Sequence, residues 1–168
     1  MNNTLLYFVS HLIHLLPDTR CFGIKRGLYR MAGAKIGRNT RICSSVTITG
    51  NANLIIGDNV WIGHQSLIVC SASVTIGSNV NIAPRVYIGT GTHEINPEGP
   101  SVAGKGISKP IIIGNGAWLC ANSQILAGVS VGDCSIVAMG GVILKDVPSH
   151  EVWGGVPAKM LKKLDLEM

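Results

Sequence analysis

The chain has 168 residues, of which 46% are hydrophobic, 14% charged and 5% aromatic, with 21 glycines; this length suits one domain with a real core, and this composition does not suit a helical bundle with a charged exterior. The formal net charge is +5, yet the basic residues form no aromatic-interleaved stripe, so nucleic acid is not the expected partner, and their main cluster, Lys145, Lys159, Lys162 and Lys163, suits a phosphate-bearing small ligand. Five cysteines, Cys21, Cys43, Cys70, Cys120 and Cys134, include no CxxC pair and leave an odd one over, which points away from a disulfide framework and toward small, mostly buried thiols in a reducing compartment.

The first element is the apolar stretch "LLYFVSHLIHLL", about 12 residues and well short of the roughly 20 that cross a bilayer. No basic segment or small-residue cleavage site accompanies it. Leu5, Val9, Leu12 and Leu16 fall on one face at helical spacing, which predicts a helix that caps a core. Peripheral contact with a membrane is the alternative, although the polar face offers His11 and His14 rather than Lys and Arg. A second helix, "FGIKRGLYRMAG", is predicted to end at Gly33 as its C′ residue. Residues 1–33 therefore read as a helical cap.

From Ile36 an aliphatic residue returns every six positions: Ile36, Ile42, Ile48, Ile56, Ile62, Ile68, then Ile76, Ile82, Ile88, and later Ile113, Leu119, Ile125, Val131, Val137 and Ile143. This is a hexapeptide repeat. Three six-residue sides make a triangular coil with each aliphatic pointing inward, and slips of two at Leu54/Ile56 and Val74/Ile76 lengthen the early coils to about 20 residues against about 18 later. The reading is an all-β chain, a parallel β-helix of about five coils over residues 34–150. Gly37, Gly57, Gly77, Gly114 and Gly132, each after an inward aliphatic, are expected at tight corners.

The rhythm breaks at "IGTGTHEINPEG". Residues 92–110 carry prolines and glycines and few inward aliphatics, so they are expected to leave the coil wall as a functional loop. His93 stands at its root. An imidazole titrates near neutrality and can take a proton from an attacking hydroxyl, whereas a histidine read without further context is more often a solvated turn residue. Glu94 is either an orienting partner for His93 or a solvated charge. Beyond the coils, residues 151–168 are expected to form a tail and a helix carrying Lys159 and Lys162.

The segments "IGDNVWIG", "VTIGSNVNIAP", "TGTHE" and "ILKDVPSHEVWGGVPAKMLKKL" resemble the hexapeptide-repeat acyltransferases, above all the galactoside and maltose acetyltransferase branch and its polysaccharide O-acetyltransferase relatives. The resemblance spans about residues 34–164. It implies a left-handed β-helix, a homotrimer with active sites between subunits, acetyl-CoA as co-substrate without a metal, and a cytoplasmic acetyltransferase acting on a hydroxyl of a sugar, in a surface polysaccharide or its precursor.

By the same resemblance His93 is the general base, and Trp118 stands beside the donor and acceptor tunnel. Ala121, Met139 and Gly140 line the pantetheine arm, while Lys145, Lys159 and Lys162 meet the phosphates of coenzyme A. The sequence departs from the family at Gly63, His64 and Gln65, near an acceptor-contacting asparagine, so His64 or Gln65 is the candidate replacement. Leu144 stands for a common threonine, Ala121 for a serine, and "AMGG" for a Gly-Ala-Gly-Ser run, which leaves backbone contacts possible and removes hydroxyls. Transfer to an amino group of an amino sugar or antibiotic would use the same base and donor. A metalloenzyme of the γ-carbonic-anhydrase kind needs three imidazoles around zinc, for which the coils show no HxxxxH pair. A non-catalytic β-helix would leave the loop and the C-terminal lysines without a purpose.

Overall fold

The computed structural model describes residues 1–165. Two helices lead, α1 (Asn3–His14) and α2 (Phe22–Met31). The Asn2 side chain caps α1 by accepting from the Leu5 amide at 3.0 Å. Behind α2, Gly33 takes φ +96° and hydrogen-bonds back to the Arg30 carbonyl at 2.9 Å, the C′ role expected of it. The packing face of α1 differs from the expected one: Leu6, Val9 and Ile13 are buried, whereas Leu12 is exposed. α1 keeps one polar strip, Asn3, Ser10, His11 and His14, and its broad apolar remainder is rotated so that Val9 stays central while Leu5 and Leu16 are only half-buried at the margin.

From Lys35 each coil lays down three short strands, and these stack into three parallel sheets, the sides A, B and C of a triangular prism. The first coil contributes Lys35–Ile36, Arg41–Ile42 and Thr47–Thr49, and the fifth ends with Val142–Ile143. A sixth turn begins where Val147 bridges Val131 and continues in Glu151–Gly155. Every aliphatic of the six-residue count is buried. The two-residue slips are three-residue strands on side A, in which Leu54 and Ile56, or Val74 and Ile76, both point inward around an outward neighbour.

A second inward column lies four residues after the first, at Val46, Val60, Val80, Val86, Ala117 and Val129, and it admits hydroxyls. Thr40 and Ser66 are buried there, and each donates to a carbonyl of the adjacent coil, Gly57 at 2.7 Å and Ala83 at 3.1 Å. The glycine column works by close approach. A Cβ on Gly57 would lie 2.7 Å from the Gly77 carbonyl carbon, and one on Gly114 would lie 2.6 Å from the Asp133 amide nitrogen. The left-handed backbone conformation falls instead two residues later, at Asn39, Asn59 and Asn79, with φ of 56° to 60°.

Two expectations are corrected. Of residues 151–168, the last three lie outside the described residues, and the others form no helix: Glu151–Gly155 joins side B and pairs antiparallel with Ala158–Lys163. Val152 and Trp153 favour a strand, and Gly154, Gly155 and Pro157 oppose a helix, while the added strand covers the open edge of side B. Among the thiols, Cys43 and Cys70 are buried, but Cys21 and Cys134 are exposed. Both exposed cysteines adopt left-handed backbone at turns, and Cys134 stands at a corner of the prism instead of its interior.

Candidate active site

His93 lies on an antiparallel hairpin, Gly91–Ile95 with Ala103–Ser108, that leaves the prism at the edge between sides C and A. The hairpin's neck is closed by Lys109, whose amide donates to the Thr90 carbonyl at 2.9 Å, after which Ile111 re-enters side A beside Val74. His93 pairs with Gly106, and the ladder is irregular between His93 and Ile95. That irregularity releases the Gly104 carbonyl, which receives the Nδ1–H of His93 at 2.9 Å. A carbonyl can only accept, so Nδ1 carries the proton and Nε2 holds the free lone pair. Glu94 follows at the irregularity itself and is exposed, and among the described residues it makes no hydrogen bond to the His93 ring.

The other candidates lie elsewhere on the prism. Trp118 occupies the outer face of side B, in a row that runs from Arg41 through Trp61 and Asn81 to Trp118, Ile136 and Val152. Lys162 pairs with Val152 and Lys159 with Gly154, across a bulge that restores a shared face despite their odd spacing. Both lysines therefore stand on the outer face that carries Trp118. Ala121, Met139 and Gly140 follow at the edge between sides B and C, joined by a 3.0 Å hydrogen bond from the Gly140 amide to the Ala121 carbonyl. Lys145 is exposed just beyond the last side-C strand.

Two grooves meet at Pro84 along this part of the surface. One, of about 450 Å³, lies between Trp61 and Trp118; the other, of about 460 Å³, brings His64 and Gln65 alongside Ala121. Gln65 accepts from the Arg85 guanidinium at 2.9 Å. His64 donates Nδ1–H to Asp18 at 2.6 Å, and Asp18 also receives the Ser45 amide and hydroxyl. Burial works to raise the Asp18 carboxyl, but the bonds from Ser45 and His64 outweigh it and bring it down from 3.8 to about 2.

Asp18 escaped the sequence reading because nothing along the chain links it to His64, 46 positions later. Trp61 was accessible to it, since Trp61 and Trp118 hold equivalent places in the repeat.

Asp18, Cys43 and His64 offer ligand atoms within 4.8 Å of one another. Burial pushes the Cys43 thiol up to about 11, and the Lys25 ammonium lies close enough to interact with it. A protonated thiol beside an ammonium suits a cation poorly.

A family model described as the hexapeptide repeat of succinyl-transferase matches residues 53–90 and 110–145. Galactoside O-acetyltransferase of Escherichia coli is 32% identical over 141 residues, 84% of this chain and 69% of that protein. The chain belongs to the hexapeptide-repeat acetyltransferase family. A putative colanic acid biosynthesis acetyltransferase of Escherichia coli is 32% identical over 136 residues, 81% of this chain and 72% of the relative. A putative acetyltransferase of Saccharomyces cerevisiae is 37% identical over 113 residues, and the match spans 67% of this chain but only 57% of the yeast protein.

Among solved structures, a hexapeptide-repeat acetyltransferase of Vibrio cholerae complexed with acetyl coenzyme A superposes with a TM-score of 0.85 at 26% identity, covering 98% of this chain and 87% of the other. The β-helix of this family member is left-handed. His64 and Gln65, where this sequence was expected to depart from the family, are both held by side-chain hydrogen bonds and line one groove.

Proposed function

We propose that this family member transfers an acetyl group from acetyl-CoA to a hydroxyl of a sugar, in a surface polysaccharide or its precursor, in the cytoplasm, with His93 as general base. The observation that carries the reading is the His93 tautomer: a backbone carbonyl holds Nδ1–H, and Nε2 is left bare on an exposed hairpin. Nε2 can accept the hydroxyl proton while the sugar oxygen attacks the thioester carbonyl, then return it to the departing thiolate as the carbon–sulfur bond breaks. The relatives named for galactoside and colanic acid support a sugar acceptor, and the acetyl coenzyme A complex of the Vibrio cholerae protein supports the donor.

Donor binding falls to side B and its edge. Backbone groups at Ala121, Met139 and Gly140 would hold the pantetheine arm, Trp118 would flank it, and Lys159 and Lys162 would meet phosphates, with Lys145, at the edge from which the His93 hairpin departs, reaching them from a neighbouring subunit. His64, with Nε2 free opposite its bond to Asp18, would contact the acceptor, with Gln65 beside it.

Side B lies opposite the edge from which the His93 hairpin departs, so the thickness of the prism separates base from donor within one chain. A homotrimer in which each hairpin reaches the side-B face of the next subunit unites them.

The test is turnover with labelled acetyl-CoA over a panel of mono- and oligosaccharides. His93→Ala should lower kcat by roughly 10² to 10⁴ while coenzyme A affinity stays within about twofold of the wild type. Unchanged turnover rejects His93 as the base, and acetylation of amino sugars alone rejects the hydroxyl acceptor.

A further inference from the structure

We propose that the capped end of the prism, formed by α1, α2 and the first coil, docks on the surface of an anionic phospholipid bilayer. The first observation is the outer face of α1. Leu6, Val9 and Ile13 are spent on the coil, yet Tyr7, Phe8, Leu12 and Leu15 point away from it and are 54% to 82% exposed. Ile24 and Met31 of α2 are exposed as well. Phe8, Leu12 and Leu15 leave an apolar flank of α1 that the coil does not cover, bordered by the polar strip of Asn3, Ser10, His11 and His14, and such a flank calls for a second apolar phase. No described helix is long and apolar enough to cross a membrane, so the contact is interfacial. Tyr7, with a ring and a hydroxyl, suits that depth.

The second observation is the distribution of charge. Residues 1–57 hold seven of the 14 basic residues and one of the nine acidic residues, a balance of +6; residues 58–168 hold seven basic and eight acidic, a balance of −1. The whole excess of positive charge therefore belongs to the helices and the coils they cover. The lone carboxylate, Asp18, is bound to Ser45 and His64. Arg20, Lys35 and Arg41 are exposed, as is Arg38, which pairs with Asp58 of the second coil at 3.4 Å. The cations that α1 itself lacks are carried by the connection to α2 and by the first coil, and an apolar ridge at a net positive end of the molecule matches anionic headgroups above acyl chains. A neutral or cationic partner would not use that charge.

Co-sedimentation with vesicles decides the matter. The wild-type chain should sediment with vesicles containing phosphatidylglycerol, much less with phosphatidylcholine alone, and less as salt rises. Phe8→Glu with Leu15→Glu should reduce binding at least about tenfold, and so should Arg20→Glu with Lys35→Glu, which leaves the helix core untouched. Both variants should keep acetyl transfer to a soluble acceptor, so failure here is separable from failure of the proposed activity. Wild-type protein that stays in the supernatant with phosphatidylglycerol vesicles overturns the proposal. So does binding that ignores both double substitutions, or a fall in assembly mass in the Phe8→Glu, Leu15→Glu variant, which would assign the ridge to a second copy of the chain.

Discussion

Asp18 joins the connection between the helices to the second coil through His64, and its ionisation is the test of that link. Its carboxyl sits at about 2, below its ordinary value. Between about pH 4 and pH 2 the unfolded chain takes up a proton that the folded chain refuses, so the stabilisation is present above this window and is lost as pH falls through it. Thermal melts of the wild type and Asp18→Asn should therefore differ most near neutral pH and converge as pH approaches 2. A difference that does not change with pH would remove the carboxylate from the account. Residues of this kind lie beyond a linear reading. His93 was legible because its motif is local, whereas Asp18–His64 and the buried Lys25, which donates to the Pro17, Asp18 and Ile42 carbonyls, depend on where the cap comes to rest.

At the scale of the element, the coil wall depends on glycines that another coil's backbone crowds. Gly57→Ala should destabilise by about 1 to 3 kcal/mol or more, because the new methyl meets Gly77 and Ser78 backbone at 2.7 Å and neither can give without moving a coil. Gly27→Ala in α2 is the control. A Cβ there has nothing within 4 Å, and the change should stabilise by about 0.5 to 1 kcal/mol. Melting temperatures of the two variants should move in opposite directions, and a harmless Gly57→Ala would mean that the coils yield locally. The aliphatic column was plain in the sequence because each coil solves the same packing problem. The expected C-terminal helix is a hairpin strand because Ala158–Lys163 finds an antiparallel partner in Glu151–Gly155, a pairing that depends on the open edge of side B and not on the local sequence.

At the scale of the whole molecule the triangular section separates the proposed base from the proposed donor site. His93 leaves the edge opposite side B, and Trp118, Lys159 and Lys162 occupy side B, so no single prism brings them together. The sequence showed the repeat and the break in it, but not which edge the break would occupy. That depends on counting sides around a closed section.

Subunit mixing tests the consequence. His93→Ala removes the proposed base, and Ala121→Trp blocks the proposed donor edge while leaving His93 in place. Each variant alone should be nearly inactive. Co-expressed in equal amounts and assembled at random, an interface is intact when its hairpin comes from the second variant and its donor face from the first, each with probability one half. Activity should therefore return to about a quarter of the wild-type value in a closed ring. A site built within one chain would recover nothing, because no chain in the mixture carries both halves.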